Sequence, residues 1–100
     1  MKSGNEMELA VIKWAEVRNL NQYDFRFVQL AKVMEEVGEL ADAMIKGDKE
    51  KIIDALGDTN VTLIVLANQL DLMLSECLES AYNEIKDRDG ELINGSFIKS

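Results

Sequence analysis

The sequence predicts an all-α fold, with four helices in a single domain that spans residues 1–100. A chain of 100 residues can enclose one core of ordinary size but not two. It contains no proline and only six glycines, a composition that favours helices. Its apolar residues also recur at the three- and four-residue spacing of amphipathic helices. Together these observations predict a helical bundle followed by a short tail.

The first two helices are predicted over residues 5–19 and 25–46. The polar segment 18–24 separates them, and we expect Asp24 to cap the second helix. At about 100° per residue, the apolar residues of the second helix fill one broad arc, and the polar residues form a stripe along the other side. The stripe contains Gln29, Lys32, Glu35, Glu36, Glu39 and Asp42.

The third helix is predicted to run from just after Asp48 to about Leu70, and the fourth from about residue 72 to 88. Between residues 61 and 67 the third helix is apolar on every side, which is typical of a buried helix. Cys77 lies on the apolar face of the fourth helix, where we expect a small core residue. Four short helices of one protomer cannot easily cover the third helix, and an isologous dimer is the minimal remedy.

The last dozen residues have the pattern of a β-hairpin. Asn94 and Gly95 stand between two short apolar runs, and an Asn-Gly pair in that setting is a strong signal for a hairpin turn. Because a two-stranded ribbon is only marginally stable alone, we expect this tail to pack on the bundle, to pack on a partner subunit, or to fray.

Composition excludes several kinds of function. The chain carries 19 acidic and 11 basic residues, a formal net charge of -8, so we expect neither nucleic acid nor an anionic membrane as a partner. With no histidine and one cysteine, it cannot supply a Ser-His or Cys-His pair, a ferritin-like di-iron site, a disulfide or a Cys-rich zinc site. Carboxylates and a hard cation remain as tools for catalysis. No segment resembles a signal peptide or a membrane span, so we expect a cytoplasmic protein.

Acidic residues concentrate in two short segments that the helices would bring together. Glu35, Glu36 and Glu39 are three or four residues apart and project to neighbouring positions on the second helix. Asp54 and Asp58 share one face of the third helix. If the two helices form an antiparallel hairpin through their short connection, the two acidic faces meet.

Such clustering is unfavourable without a counter-charge. Two carboxylates about 6 Å apart repel by about 0.7 kcal/mol in water and about 2.8 kcal/mol at an effective dielectric of about 20. A divalent cation removes this cost, and oxygen ligands select Mg²⁺, Mn²⁺ or Ca²⁺. The glutamates alone could instead be a solvated face. Asp58, however, directly precedes the apolar run, and we expect a buried carboxylate there to need a partner such as a cation.

Other polar and aromatic residues could contact a ligand or could have structural roles. Gln29 and Lys32 lie on the acidic stripe, and Lys32 could bind a phosphate or pair with Glu36. Trp14 could stack on a nucleobase, although a tryptophan among apolar neighbours also fits a core position. Three further donors stand near the end of the fourth helix: Asn83, Lys86 and Arg88. Cations at a helix C-terminus also complement the helix dipole without any further function.

At these residues the sequence resembles the MazG-like nucleotide pyrophosphohydrolases, which belong to the all-α NTP pyrophosphohydrolase superfamily. The resemblance rests on Gln29-x-x-Lys32-x-x-Glu35-Glu36-x-x-Glu39-Leu40 and on Leu56-Gly57-Asp58 in an apolar helix, and it extends from about Trp14 to Arg88. It implies a helical protomer that assembles into dimers or tetramers. It also implies Mg²⁺-dependent cleavage of an NTP or dNTP to the nucleoside monophosphate and pyrophosphate.

The resemblance also implies roles for individual residues. Glu36, Glu39 and Asp58 match the family's ligands for Mg²⁺, for which Mn²⁺ could substitute. The family usually has a further Glu three residues before the aspartate, where this chain has Ala55. Asp54, one residue earlier, is the available substitute for that ligand.

We expect Glu35 to orient or deprotonate the attacking water, since no histidine is present to do so. Lys32 and the three donors near the end of the fourth helix stand where the family places phosphate-contacting residues. The absence of Glu at position 55 leaves a second hypothesis open, in which the chain is a non-catalytic helical oligomer that binds partners through its surface.

Overall fold

The computed structural model describes residues 3–100, in which four α-helices precede one β-hairpin. The elements are α1 (Gly4–Val17), a 3₁₀ turn (Tyr23–Phe25), α2 (Arg26–Lys46), α3 (Lys49–Gln69), α4 (Leu74–Ile85), β1 (Gly90–Ile93) and β2 (Ser96–Lys99). The all-α class, the four helices and the short hairpin tail are therefore confirmed.

Short polar residues and one glycine set the ends of three helices. Ser3 Oγ accepts a hydrogen bond from the backbone N–H of Glu6 (3.2 Å) at the start of α1. The Asp48 carboxylate accepts one from the N–H of Lys51 (3.2 Å) at the start of α3. Gly47 ends α2 with a φ of 67°, a left-handed conformation that glycine adopts without strain. The chain therefore reverses direction between α2 and α3 within two residues.

Asp24 does not cap α2, so that expectation was wrong. Asp24 lies inside the 3₁₀ turn, and Phe25 occupies the cap position of α2 without a side-chain hydrogen bond. The Arg26 guanidinium donates to the carbonyl of Tyr23 (3.1 Å) and lies 3.9 Å from the centre of the Tyr23 ring. Arg26 therefore holds this turn from the C-terminal side.

The core forms where α2 and α3 pack against each other along their length, with α1 and α4 on α3. The Gln29 side-chain amide on α2 donates to the carbonyl of Thr62 on α3 (3.0 Å) and ties the two helices together. Every residue between positions 61 and 67 is at least half-buried, which confirms the prediction for α3. The buried apolar side chains are Ile12, Ala15, Val33, Ala43, Ala55, Ile64, Val65 and Ala67.

A buried carboxylate joins α1 to α4. Glu8 is only 4% exposed, and its Oε2 accepts a hydrogen bond from the backbone N–H of Ser75 (3.0 Å) in the first turn of α4. The residue at the cap position of α4, Met73, makes no side-chain hydrogen bond of its own. Glu8 therefore supplies an acceptor to this helix N-terminus, and its other carboxyl oxygen, Oε1, is buried without a hydrogen-bond partner.

The C-terminal hairpin turns at Asn94 and Gly95, which both have positive φ values (51° and 81°). These are the conformations of a two-residue turn whose twist matches that of the strands. The antiparallel register pairs Leu92 with Phe97 and Glu91 with Ile98, and the Phe97 ring lies against Gly90. All eight strand residues are exposed.

Much of the apolar surface that the sequence places in the core is exposed. The predicted core position of Cys77 was wrong, because its side chain is exposed on α4. One arc of α2 is also exposed, whereas Val33 and Ala43 of the same helix are buried. We call this arc the α2 stripe: Phe27, Leu30, Met34, Val37, Met44 and Ile45. A similar stripe on α4 contains Leu78, Tyr82 and Ile85.

The chain is more extended than a typical monomer of its size. Its accessible surface is 7825 Å², whereas the usual scaling for folded monomers gives about 5,700 Å² for this mass. Its radius of gyration is 15.8 Å, against about 13 Å for an average 100-residue domain. The chain thus exposes about 2,100 Å² more than that scaling gives for its mass.

Within residues 3–100, no single helix is both long and apolar enough to cross a membrane. The pair formed by α3 and α4 meets the length and composition criteria when taken together, but it bends by 99°. The core helix of a globular domain meets the same criteria.

Replacing Glu8 tests the connection between α1 and α4. We expect Glu8→Ala to lower the free energy of unfolding by about 1–2 kcal/mol, because the N–H of Ser75 loses its acceptor. Glu8→Gln is the matched control, since its amide oxygen can still accept, and it should cost less than half as much. Urea unfolding followed by circular dichroism measures both. Equal stability of Glu8→Ala and the wild type would contradict this role.

Candidate active site

Carboxylates from α2 and α3 face a common cleft of about 530 Å³, which we call the acidic cleft. The two helices form an antiparallel hairpin, so the acidic segments 35–42 and 54–58 lie opposite each other. The cleft is lined by Glu35, Gly38, Glu39, Asp42, Ala43, Lys51, Asp54, Ala55 and Asp58. Four of the five acids singled out in the sequence therefore share one concave surface.

A second cleft of about 380 Å³ adjoins the acidic cleft at Asp58, which lines both. We call it the Trp14 cleft. Its lining residues are Trp14, Leu20, Gln29, Lys32, Glu36, Asp58, Val61, Thr62 and Val65. It contains the fifth acid, Glu36, together with the three residues of α1 and α2 for which the sequence suggested a role in substrate binding.

Glu36 has the strongest electrostatic perturbation in this region. Burial raises the pKa of its carboxyl group above the ordinary value of 4.5, and the neighbouring Glu39 carboxylate raises it further. Asp58 and Glu35 also raise this pKa by repulsion. The side chains of Glu35, Glu36, Glu39 and Asp58 are therefore close enough to interact electrically.

Glu36 is half-buried, whereas Asp58 is exposed. The expectation of a buried Asp58 was therefore wrong. Asp58 lies one turn before the apolar run, at a point where the side of α3 next to the two clefts is open to solvent. Glu36 Oε2, in contrast, is shielded from solvent and has no hydrogen-bond partner.

Two lysines lie among these acids. Lys32 pairs with Glu35 (3.9 Å) and not with Glu36, and both partners of this pair are mostly exposed. Lys51 lines the acidic cleft from the first turn of α3. Lys51 was not singled out in the sequence, because its proximity to α2 depends on the reversal at Gly47. A further lysine, Lys46, pairs with Asp42 of the acidic cleft (3.0 Å), so three lysines face six acids and the region keeps a net negative charge.

Trp14 and Gln29 are both partly engaged in the fold. Trp14 is 45% exposed, so it lines the cleft and is not a core residue. The Arg18 guanidinium lies 4.6 Å from the centre of the Trp14 ring and donates to the Trp14 carbonyl (3.1 Å). The Gln29 amide nitrogen is already bonded to the carbonyl of Thr62. Arg18, which the sequence did not single out, adds a cation beside the indole.

The donors near the end of α4 are not brought to either cleft. Asn83, Lys86 and Arg88 are exposed and line neither the acidic cleft nor the Trp14 cleft. Among the described residues, α4 packs on α1 and α3, on the side of the bundle away from α2. Within one protomer, the structure thus separates these residues from the other predicted site residues.

Ala55 and Asp54 have different environments. Ala55 stands where the family that this sequence resembles usually has a Glu. Ala55 is 5% exposed and packs between α2 and α3, so its methyl group fills space at the bottom of the acidic cleft. Asp54 is exposed at the same cleft. Asp54 can therefore approach a ligand from the solvent side, as the proposed substitute for the missing Glu.

The carboxylates of the two clefts have the right chemistry to bind a hard divalent cation, but in this structure they are not arranged to do so. All the acids are oxygen donors of the kind that Mg²⁺ and Mn²⁺ prefer, and the unpartnered Oε2 of Glu36 lacks a counter-charge. Within residues 3–100, however, no three Asp, Glu or Cys side chains converge closely enough to hold a metal ion as they stand. Side-chain rotation on α2 and α3 would be needed to bring them together.

A helical protomer with acids from two antiparallel helices at one cleft has the fold of the all-α NTP pyrophosphohydrolase superfamily. Comparison with family models identifies the member family. The model for phosphoribosyl-ATP pyrophosphohydrolase matches residues 15–84, and the chain belongs to this family of hydrolases. The matched segment includes every acid of the two clefts, but Trp14, Lys86 and Arg88 lie outside it.

One relative comes from Haemophilus phage HP1 (strain HP1c1) and is described as an uncharacterized 18.2 kDa protein in the rep-hol intergenic region. It is 40% identical to this chain over 57 residues, which are 57% of this chain and 35% of that protein. The match thus covers about a third of that relative's length. No solved structure matches this chain.

The raised pKa of Glu36 predicts how stability depends on pH without metal. Folding raises this pKa, so protonated Glu36 stabilises the fold below about pH 4.5, and this contribution is lost as the pH rises through the folded-state value. Glu36→Gln removes the loss. We expect the variant to equal or exceed the wild type in free energy of unfolding at pH 7, with the difference growing as the pH rises from 4.

Urea unfolding in EDTA at a series of pH values measures this difference. Glu79→Gln, which removes an exposed carboxylate on α4, is the control and should leave the pH dependence unchanged. A marked loss of stability in Glu36→Gln at pH 7 would instead give Glu36 a structural role.

Proposed function

We propose that this protein is a Mg²⁺-dependent pyrophosphohydrolase of the MazG-like kind, which converts an NTP or dNTP to the nucleoside monophosphate and pyrophosphate. The observation that carries the proposal is the junction of the two clefts. Acids suited to a metal-bound triphosphate meet there with an exposed indole suited to a nucleobase. Membership of a pyrophosphohydrolase family supports the same reaction.

The chain would hold Mg²⁺, or Mn²⁺ in its place, with Glu36, Glu39, Asp54 and Asp58. These acids extend from the shielded end of the site at Glu36 to its solvent side at Asp54. When bound, the cation neutralises charge on the triphosphate and polarises its phosphorus atoms. Without it, the acids of the cleft would repel an anionic substrate.

Glu35 is the residue we propose as the base. It lines the acidic cleft, is open to water and has its Oε2 3.9 Å from Nζ of Lys32. A water oxygen attacks the α-phosphorus, the bond from that phosphorus to the bridging oxygen breaks, and its electron pair leaves with pyrophosphate. Glu35 accepts the proton of the water. Lys32, as a cation at the border of the two clefts, would bind a phosphate oxygen.

Trp14 would stack on the nucleobase in the Trp14 cleft, with Gln29 beside it. The family name concerns phosphoribosyl-ATP, which is also a 5′-triphosphate, so this compound belongs among the candidate substrates. Asn83, Lys86 and Arg88 could contact the triphosphate only from another copy of the chain, because α4 lies away from α2 in one protomer.

We also propose that the protein works as a homodimer or homotetramer. The uncovered 2,100 Å² or so exceeds the roughly 800 Å² that each partner buries in an interface of standard size. A non-catalytic helical oligomer is the second candidate function. The exposed apolar stripes of α2 and α4 support it as much as they support an oligomeric enzyme. Hydrolysis distinguishes the two functions.

Metal binding should stabilise the folded protein. A cation that binds only the folded state adds about 2.7 kcal/mol at 100 times its Kd, which for a domain of this size raises Tm by roughly 13 °C. We expect this rise with millimolar Mg²⁺ in differential scanning calorimetry at constant ionic strength. The Glu36→Gln, Glu39→Gln double variant is the control and should show no rise. A wild-type Tm that does not respond to Mg²⁺ would contradict the metal site.

The identity of the phosphate products, and which of them carries ¹⁸O from the water, test the reaction itself. A panel of the common NTPs and dNTPs, modified NTPs and phosphoribosyl-ATP is incubated with Mg²⁺ in H₂¹⁸O, and ³¹P NMR and mass spectrometry identify the products. We expect pyrophosphate and a monophosphate that carries the ¹⁸O. Glu39→Gln should reduce kcat by at least about 100-fold, whereas Glu79→Gln should not change it. Orthophosphate as the product would contradict the assignment, and no turnover of any compound would favour the binding protein.

A further inference from the structure

The C-terminal hairpin is apolar on both of its faces and covered on neither. Leu92 and Phe97 form a cross-strand pair on one face, and Ile93 and Ile98 lie on the other. Their exposed fractions range from 44% for Ile93 to 76% for Leu92. Only the two strands pack on each other, because β1 and β2 make no substantial contact with any helix of the described chain. An isolated two-stranded ribbon of this kind is marginally stable in water.

The hairpin lacks the charge that would direct it to a polyanion. Its two strands carry one acid, Glu91, and one base, Lys99. Nucleic acids and anionic membranes attract clustered positive charge, so neither explains this surface. In a chain with a net charge of -8, the neutral hairpin can approach a second copy with little repulsion. Its contacts are therefore expected to be apolar.

The α2 stripe has the size and chemistry to receive the hairpin. From Phe27 to Ile45 the stripe is about 27 Å long at 1.5 Å per residue, and a four-residue strand is about 13 Å long. The stripe of α4, from Leu78 to Ile85, is only about 11 Å long. The hairpin thus fits within the α2 stripe and exceeds the α4 stripe.

The uncovered area indicates that the acceptor belongs to a second copy. The protomer exposes about 2,100 Å² more than a compact monomer of its mass. One standard interface takes about 800 Å² from each partner, so the excess is large enough for two contact areas on each protomer. In a two-fold dimer each chain would use its hairpin as one of these areas and its α2 stripe as the other.

We propose that the hairpin, residues 90–99, is a docking arm that packs on the α2 stripe of a second copy of this chain. The exchange is reciprocal, so each dimer contains two such contacts. This inference rests on the homo-oligomer proposed above and gives it a geometry. It requires no nucleotide and no metal.

Photo-crosslinking tests the contact directly in the 100-residue chain. 4-Benzoylphenylalanine replaces Phe97, and unlabelled protein that carries it is mixed with ¹⁵N-labelled wild type before irradiation. We expect light hairpin peptides joined to heavy peptides from residues 26–46. The same probe at Lys13, an exposed residue on α1, is the control and should not label α2. Crosslinks confined to one molecule, or to segments other than α2, would overturn the proposal.

Two variants test the contribution of the arm to assembly. Leu92→Asp and Phe97→Asp should each raise the dimer Kd in sedimentation equilibrium at least about tenfold, since each change occurs twice in a symmetric dimer. Glu91→Gln is the matched control on the same strand and should leave Kd within about twofold. The helical circular dichroism should be unchanged in all three variants.

Each alternative outcome is also decisive. A wild type that sediments as a monomer, or an aspartate variant that dimerises with unchanged Kd, would overturn the docking arm. So would a loss of helical signal in the aspartate variants, because it would show that the hairpin supports its own protomer. Since none of these readouts measures hydrolysis, failure of the enzymatic proposal would leave this test intact.

Discussion

The concentration of negative charge between α2 and α3 is the constraint on which the other features of this protein depend. The two-residue reversal at Gly47 and Asp48 places one acidic segment opposite the other. Glu36 shows the consequence, since burial and its acidic neighbours raise its pKa and one of its oxygens has no partner. Because the acids repel one another in the ligand-free folded protein, their arrangement favours a ligand that carries positive charge. Selection for a cation-dependent site would explain why the repulsion is retained.

The packing of α2 on α3 also determines which apolar surfaces of α2 stay exposed. Val33 and Ala43 of α2 are buried, but most of the larger apolar side chains of this helix are exposed. In a bundle that served stability alone, those side chains would fill the core. Here the acidic cleft occupies part of the interface between the two helices, and the proposed dimer would use the apolar surface that stays exposed. On this view, the acidic cleft and the extended shape of the protomer have one physical origin.

The sequence predicts local features well, because they depend on neighbouring residues. Helical periodicity, the glycine at position 47 and the Asn-Gly turn at position 94 all act within a few residues, and each has its expected place in the fold. Periodicity does not show whether a helix face points to the core or to solvent. Asp58 and Cys77 lie on faces that look internal along the chain, yet both are open to solvent. Glu8 acquires its role only from Ser75, which is 67 residues away.

The acidity of the chain does not exclude a polyanionic ligand, but it should make binding of such a ligand conditional on metal. Isothermal titration calorimetry with a non-hydrolysable α,β-methylene nucleoside triphosphate, with Mg²⁺ and then with EDTA, tests this condition without depending on turnover. We expect binding in Mg²⁺ and at least a 100-fold weaker Kd, or no measurable binding, in EDTA, since two or more unneutralised acids of the cleft would then face the phosphates. Equal affinity under the two conditions would contradict the central claim.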